Sequence, residues 1–238
     1  MKRLTFVIAL SLIISGVSSA QFFNKFSLAG GPIIGWHIPG VDDLNSEMKK
    51  LGIAEFSKSG FLTTGGGGFI DVPTVNNLRL GVFAMGFTDN QKSNILSETG
   101  TIKTAKLHYN YLAVSAEYVK KLGESFEFTA GGNIGFGSLE LTLSEISASN
   151  SNWNVNDPGL SGNYANRYSI STVSFTPQIG FGIYPMNFVN LKLNTGYSFT
   201  VRGDWKLNDA LTVSNVPSGI KPDGFNFNLG INIGLFVK

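Results

Sequence analysis

The chain has no cysteine and only two histidines, and charged residues make up just 14% of it. The lack of cysteine excludes a disulfide framework, a thiolate metal centre and the acylated cysteine of an exported lipoprotein. His37 and His108 lie far apart in the sequence, and neither has a nucleophile or carboxylate at tight catalytic spacing. No metal, no cofactor and no enzymatic activity are therefore expected. Ordinary soluble domains carry roughly 25% charged residues, so this chain has too few to cover a surface that meets water on every side. Beyond the N-terminus there is also no run approaching the roughly 20 apolar residues of a transmembrane helix.

The basic excess is small and local. MKRLTFVIALSLIISGVSSA places Lys2 and Arg3 before an apolar stretch from Leu4 to Ile14, with Ser18 and Ala20 ahead of Gln21. That is the pattern of a secretory signal peptide cut after Ala20. Residues 1–20 hold two of the 18 basic residues and none of the 16 acidic ones, so residues 21–238 carry 16 of each. A neutral chain of that length suits a single domain and offers no electrostatic case for nucleic acid.

What the chain has in quantity is alternation. In FNFNLGINIGLFVK, Phe225, Phe227, Leu229, Ile231 and Ile233 alternate with Asn226, Asn228, Gly230, Asn232 and Gly234, the period of a β-strand with two unlike faces. The same design recurs from Val173, from Val189, from Phe126, from Leu78 and around Leu112 to Tyr118. Two more strands are expected near Phe26 to Ile38 and over 60–72. In the fourth strand Leu107, Tyr109 and Tyr111 fall out of phase with Leu112 and Val114, which predicts a bulge near Asn110. The connections, 39–59, 73–77, 89–104, 122–125, 144–168, 186–188 and 204–222, alternate long and short. Eight strands with tight turns at one end and long loops at the other describe an all-β, closed antiparallel up-and-down transmembrane barrel. Closure also removes the free strand edges that lipid does not tolerate. A soluble lipocalin-type barrel would place Lys and Glu on its outer face, whereas the polar face here is mostly Asn, Gly, Ser and Thr.

Aromatic residues gather toward the strand ends. Trp36, Tyr109, Tyr111, Tyr197 and Trp205 lie toward the long loops and Tyr118 and Tyr184 toward the short turns, which predicts two interfacial girdles. On this pattern, and on the amphipathic last strand, the chain resembles the small eight-stranded OmpA/OmpX-type outer-membrane barrels of Gram-negative bacteria. The resemblance covers essentially all of 21–238. It implies a monomer in the outer membrane, in contact with lipid and lipopolysaccharide and inserted by the barrel-assembly machinery. Members of that class typically end on an aromatic residue, whereas here Phe236 is followed by Val237 and Lys238.

Eight strands leave an interior just wide enough for side chains. The inward face is expected to hold Asp71, Arg79, Glu117, Glu127 and Lys192 toward the short turns and Arg202 toward the loops. A regular hairpin over 73–77 sets Asp71 opposite Arg79, and Glu117 and Glu127 require cations that Arg79 and Lys192 can supply. Such a network is either a structural plug or an ion-pair gate in a narrow pore. In the first long loop, Leu44, Met48 and Leu51 fall at helical spacing, with Asp42 or Asp43 as N-cap and Gly52 as the stop. A helix so short is expected to pack its apolar stripe on the barrel mouth. The loop 144–168, with Trp153 and Tyr164, has the composition of a solvated surface loop. The run TTGGGGFIDV lacks the Lys-Ser/Thr ending of a phosphate loop, and it predicts small residues at a crowded place in the lumen. Taken together, the chain is expected to be a noncatalytic outer-membrane barrel with a structural or cell-surface role. A narrow pore is the alternative, and a lipid hydrolase at the rim a more distant one.

Overall fold

The structure, a computed structural model, describes residues 26–93, 100–147 and 164–236. The expected leader, 1–20, the tip of the 144–168 loop with Trp153, and Val237 and Lys238 lie outside them. Eight long strands follow in order: β1 (Leu28–Pro39), β2 (Phe61–Asp71), β3 (Leu78–Lys92), β4 (Thr101–Leu122), β5 (Phe126–Ser147), β6 (Tyr164–Met186), β7 (Val189–Arg202) and β10 (Gly224–Leu235). Each pairs antiparallel with its neighbour, and β1 also pairs with β10, which closes the ring. Two short strands, β8 (Lys206–Leu207) and β9 (Leu211–Thr212), form a small hairpin in the last loop, with β8 added to the upper edge of β6.

The register fixes the shape of the ring. From Leu28 the partners run through Ile70, Leu80, Ala116, Gly132, Pro177, Tyr197 and Phe225 back to Ile38, ten residues further along β1. For eight strands that stagger gives a tilt of roughly 40° and a backbone radius of roughly 8 Å. The outer face is apolar all round. On β10 alone Phe225, Phe227, Leu229, Ile231 and Ile233 point outward and are 38–59% exposed. The stretch from Phe225 to Leu235 spans about 25 Å along the barrel axis, the height of the lipid-facing band of an outer-membrane barrel.

Three features differ from the sequence reading. The pairing of β4 passes through Asn110 without a register shift, with Gly86 opposite it on one side and Ser138 on the other. There is thus no bulge, and Leu107, Tyr109 and Tyr111 continue the inward face of Ala113 and Glu117. Apolar residues face inward here because the upper lumen holds its own apolar core. The strands are also longer than expected: β4, β5 and β6 have 22, 22 and 23 residues, about twice what the membrane requires, and stand above it as a wall. Finally, Val41 and not an aspartate is the N-cap of α1 (Asp42–Lys50). Asp42 and Asp43 sit in the first turn, where the positive end of the helix dipole favours them.

The other end of α1 follows the sequence. Gly52 adopts φ 71°, its N–H reaches the Lys49 carbonyl at 3.1 Å, and the Ile53 N–H reaches that of Met48 at 3.0 Å. This is a Schellman ending, with Met48 and Ile53 buried in one cluster. The glycine run in β2 lies against Gly30 and Gly31 of β1. A Cβ on Gly67 would come within 2.5 Å of the Phe83 Cβ and 2.6 Å of the Val82 carbonyl oxygen, so only glycine fits between these strands.

Candidate functional site

The lumen is layered from the short-turn end upward. In the lowest layer Arg79 and Glu127 are almost fully buried. Arg79 Nε donates to Asp71 Oδ1 at 2.7 Å, while Nη1 and Nη2 donate to Glu127 Oε1 and Oε2 at 2.7 and 2.9 Å. The Tyr184 hydroxyl donates to Glu127 Oε2 at 2.5 Å, Asn190 donates to Oε1 at 3.3 Å, and the guanidinium lies over the Phe69 ring at 3.9 Å. A fork of donors facing two carboxylates is the geometry in which arginine binds most firmly. Phe236 packs against both Phe69 and Tyr184 at this end.

One level up, the Lys192 ammonium pairs with Glu117, and Gln178 donates to the other oxygen of that carboxylate at 2.7 Å. A cavity of about 60 Å³ adjoins this pair, with Gly67, Met85 and Asn228 among its walls, room for roughly two waters. Above it runs a belt of neutral polar groups. Thr176 bonds Ser198, Asn226 donates to Ser198 at 2.7 Å, and the Asn226 side-chain oxygen lies 2.6 Å from His37 Nδ1. The His37 ring stacks on Tyr109, Tyr109 on Tyr111, and Phe61 on Phe87, the last pair 4.5 Å apart.

The outer mouth is filled by chain. α1 turns Leu44 and Met48 inward onto Phe87, Leu107, Leu139 and Leu141 of the wall. Buried Asn45 clasps the return segment, donating to the Phe56 carbonyl at 2.9 Å and accepting the Phe56 N–H at 2.8 Å. From the opposite side the 203–223 loop folds over the helix. Asp43 accepts the Gly219 N–H at 3.0 Å, and Trp205 and Ile220 join the same apolar cluster. The β8–β9 hairpin is fixed to the wall by Arg167, whose guanidinium pairs with Asp209, and by the Ser169 hydroxyl on the same carboxylate.

Of the six charged residues expected in the lumen, five meet there and Arg202 does not. Arg202 donates instead to the carbonyls of Pro217 and Ile220 at 3.3 and 3.4 Å, so it holds the loop in place and stands outside the ion-pair network. The expected girdle divides. Trp36, Tyr118 and Tyr197 lie on the outer face, and Trp36 donates to the Ser59 carbonyl at 2.7 Å. Tyr109, Tyr111 and Trp205 are instead inside, packed in the apolar core, and Tyr184 reaches into the lumen for Glu127. Strand parity carries this signal for three of the four. Tyr109 and Tyr111 share the phase of Glu117, and Tyr184 that of Gln178 and Gly182. Gln178, Asn190 and Asn232 were legible only as polar-face residues, with no sign of which carboxylate or amide each serves. The two histidines stay apart, His37 buried inside and His108 outside on Thr88, and no three His, Asp or Glu among the described residues could hold a metal.

No protein-family model matches the chain, and no curated protein sequence does. Among solved structures it is similar to a major outer membrane protein from Thermus thermophilus, at 10% identity over 88% of this chain and 99% of that one, with a TM-score of 0.48. It is also similar to Acinetobacter baumannii CarO (11%, covering 88% and 97%, TM-score 0.36) and to the outer membrane protease OmpT from Escherichia coli (10%, covering 88% and 95%, TM-score 0.34). On its own ring closure and apolar exterior, the chain is an outer-membrane β-barrel protein.

Proposed function

We propose that the protein is a closed, noncatalytic barrel that acts at its long-loop end as an anchored surface-interaction platform. It sits as a monomer in lipid and lipopolysaccharide after insertion by the barrel-assembly machinery. The observation that carries this reading is the double stopper. Arg79 and Glu127 block the lower lumen, and α1 with the 203–223 loop fills the outer mouth with apolar side chains. Chain ordered so heavily at one end points to work done there, since binding groups concentrate on loops held by a rigid scaffold. In planar bilayers the purified protein is expected to give a flat current record. Discrete openings of the intact protein would overturn the closed reading in favour of a narrow pore, for which the polar cavity beside Lys192 and Glu117 speaks.

A further inference from the structure

At the short-turn end a hollow of about 470 Å³ opens between the 73–77 turn and the foot of β4, a volume within the range of small-molecule sites. The turn is held firmly against the strand. The Asn77 carbonyl accepts the Val119 N–H at 2.7 Å, and the Asn77 amide donates to the Tyr118 hydroxyl at 3.2 Å. Lys120, Lys121 and Asn76 stand around the hollow, all exposed. Asp71 is the only acid among the described residues that line it, and Arg79 already faces that carboxylate at 2.7 Å. Lys120 has no carboxylate partner among the described residues. Its counter-charge therefore comes from outside the chain.

The place of Lys120 on the barrel says where from. Alternation along β4 puts it on the outer face with Tyr118, which is 53% exposed, and the register sets the exposed Phe128 directly across from it. It lies two residues, about 5 Å along the barrel axis, below Tyr118. A lysine one step beyond a girdle of aromatic rings lays its stem on apolar surface and holds its ammonium at the level of lipid headgroups. The short turns of an outer-membrane barrel face the periplasm, so the lipid at this level is the phospholipid of the inner leaflet. We infer that the hollow seats the headgroup of an anionic glycerophospholipid. The phosphate rests on the Lys120 ammonium, the headgroup hydroxyls on the Asn76 amide, and the acyl chains rise past Tyr118 and Leu80 on the outer face. A zwitterionic headgroup brings an ammonium of its own and gains less beside Lys120 and Lys121. The inference is independent of the long-loop end, because a hollow that holds no lipid leaves the current record flat.

Native mass spectrometry tests it on the full-length protein, released from non-ionic detergent micelles that hold equal amounts of dioleoylphosphatidylglycerol and dioleoylphosphatidylethanolamine. The first retained lipid is expected to be enriched about fivefold in phosphatidylglycerol, the scale of one lysine's attraction for anionic lipid. Lys120→Gln and Asn76→Asp, both at exposed positions, are each expected to bring the two lipids level. Lys106→Gln removes an exposed lysine far along the same strand and is expected to leave the enrichment unchanged. A heat-dependent shift in SDS identifies the variants that fold. No enrichment in the parent protein, enrichment kept by folded Lys120→Gln or Asn76→Asp, or an equal loss in Lys106→Gln would each overturn the proposal. Displacement of the lipid by an equal concentration of glycerophosphate would overturn it in favour of a soluble phosphate.

Discussion

At Arg79 a single guanidinium serves two carboxylates in a space almost closed to solvent, and its removal strands Glu127. Arg79→Ala is expected to cost about 3–5 kcal/mol, the usual penalty for breaking a buried pair from one side. Urea unfolding from lipid vesicles measures it. Arg79→Met combined with Glu127→Leu is expected to recover most of the loss, because an apolar pair of similar volume does without ion desolvation. An unchanged midpoint for Arg79→Ala would show that Glu127 finds other support. Part of this site was legible in the sequence. Asp71 opposite Arg79 follows from counting across the 73–77 turn, and the register is as counted. The pairing of Glu117 with Lys192 was not legible as a definite choice, because those residues belong to β4 and β7, which are not neighbours in the ring. Which of them meet depends on the stagger of the whole barrel, and no local pattern encodes that.

Among the elements, α1 shows how far periodicity reaches. Its spacing, its glycine stop and the packing of its stripe on the barrel mouth were all readable, because a helix too short to stand alone must lay its apolar side on the nearest wall. What was not readable was the strand side of that contact, and Leu107, Tyr109 and Tyr111 were misplaced. Apolar residues in a membrane strand suggested lipid, whereas the partner was the helix folded into the mouth. The clasp between Asn45 and Phe56 ties the helix to its return segment. Asn45→Ala is expected to weaken that segment by about 1–3 kcal/mol, the cost of leaving buried backbone groups unbonded. The change belongs to this element alone. Limited proteolysis is expected to cut faster within 41–60 while the urea midpoint of the barrel stays in place. Equal loss of both would mean that mouth and barrel fold as one unit.

For the molecule as a whole, closure decides stability, since every strand of the ring has two partners and the ring has no free edge. Unboiled protein in SDS is expected to migrate differently from boiled protein, because a closed barrel must lose many ladder bonds together before the detergent can unfold it. Identical migration of the two samples, with solubility in the absence of detergent, would contradict the membrane assignment. At this scale the sequence was most legible. Eight alternating runs and two classes of connection already implied the ring, because period-two alternation is imposed by lipid along every strand.

The unequal strand lengths have a directional consequence. β4, β5 and β6 continue well above the bilayer while β1, β2, β7 and β10 stop near its surface, so the mouth is cut obliquely, like a quill. The tall side shelters the helix and the folded loop from molecules drifting along the membrane from that quarter. The chain that fills the mouth comes from the low side, α1 directly after β1 and the 203–223 loop directly before β10, and both lean across onto the tall wall as a hinged cover leans on its frame.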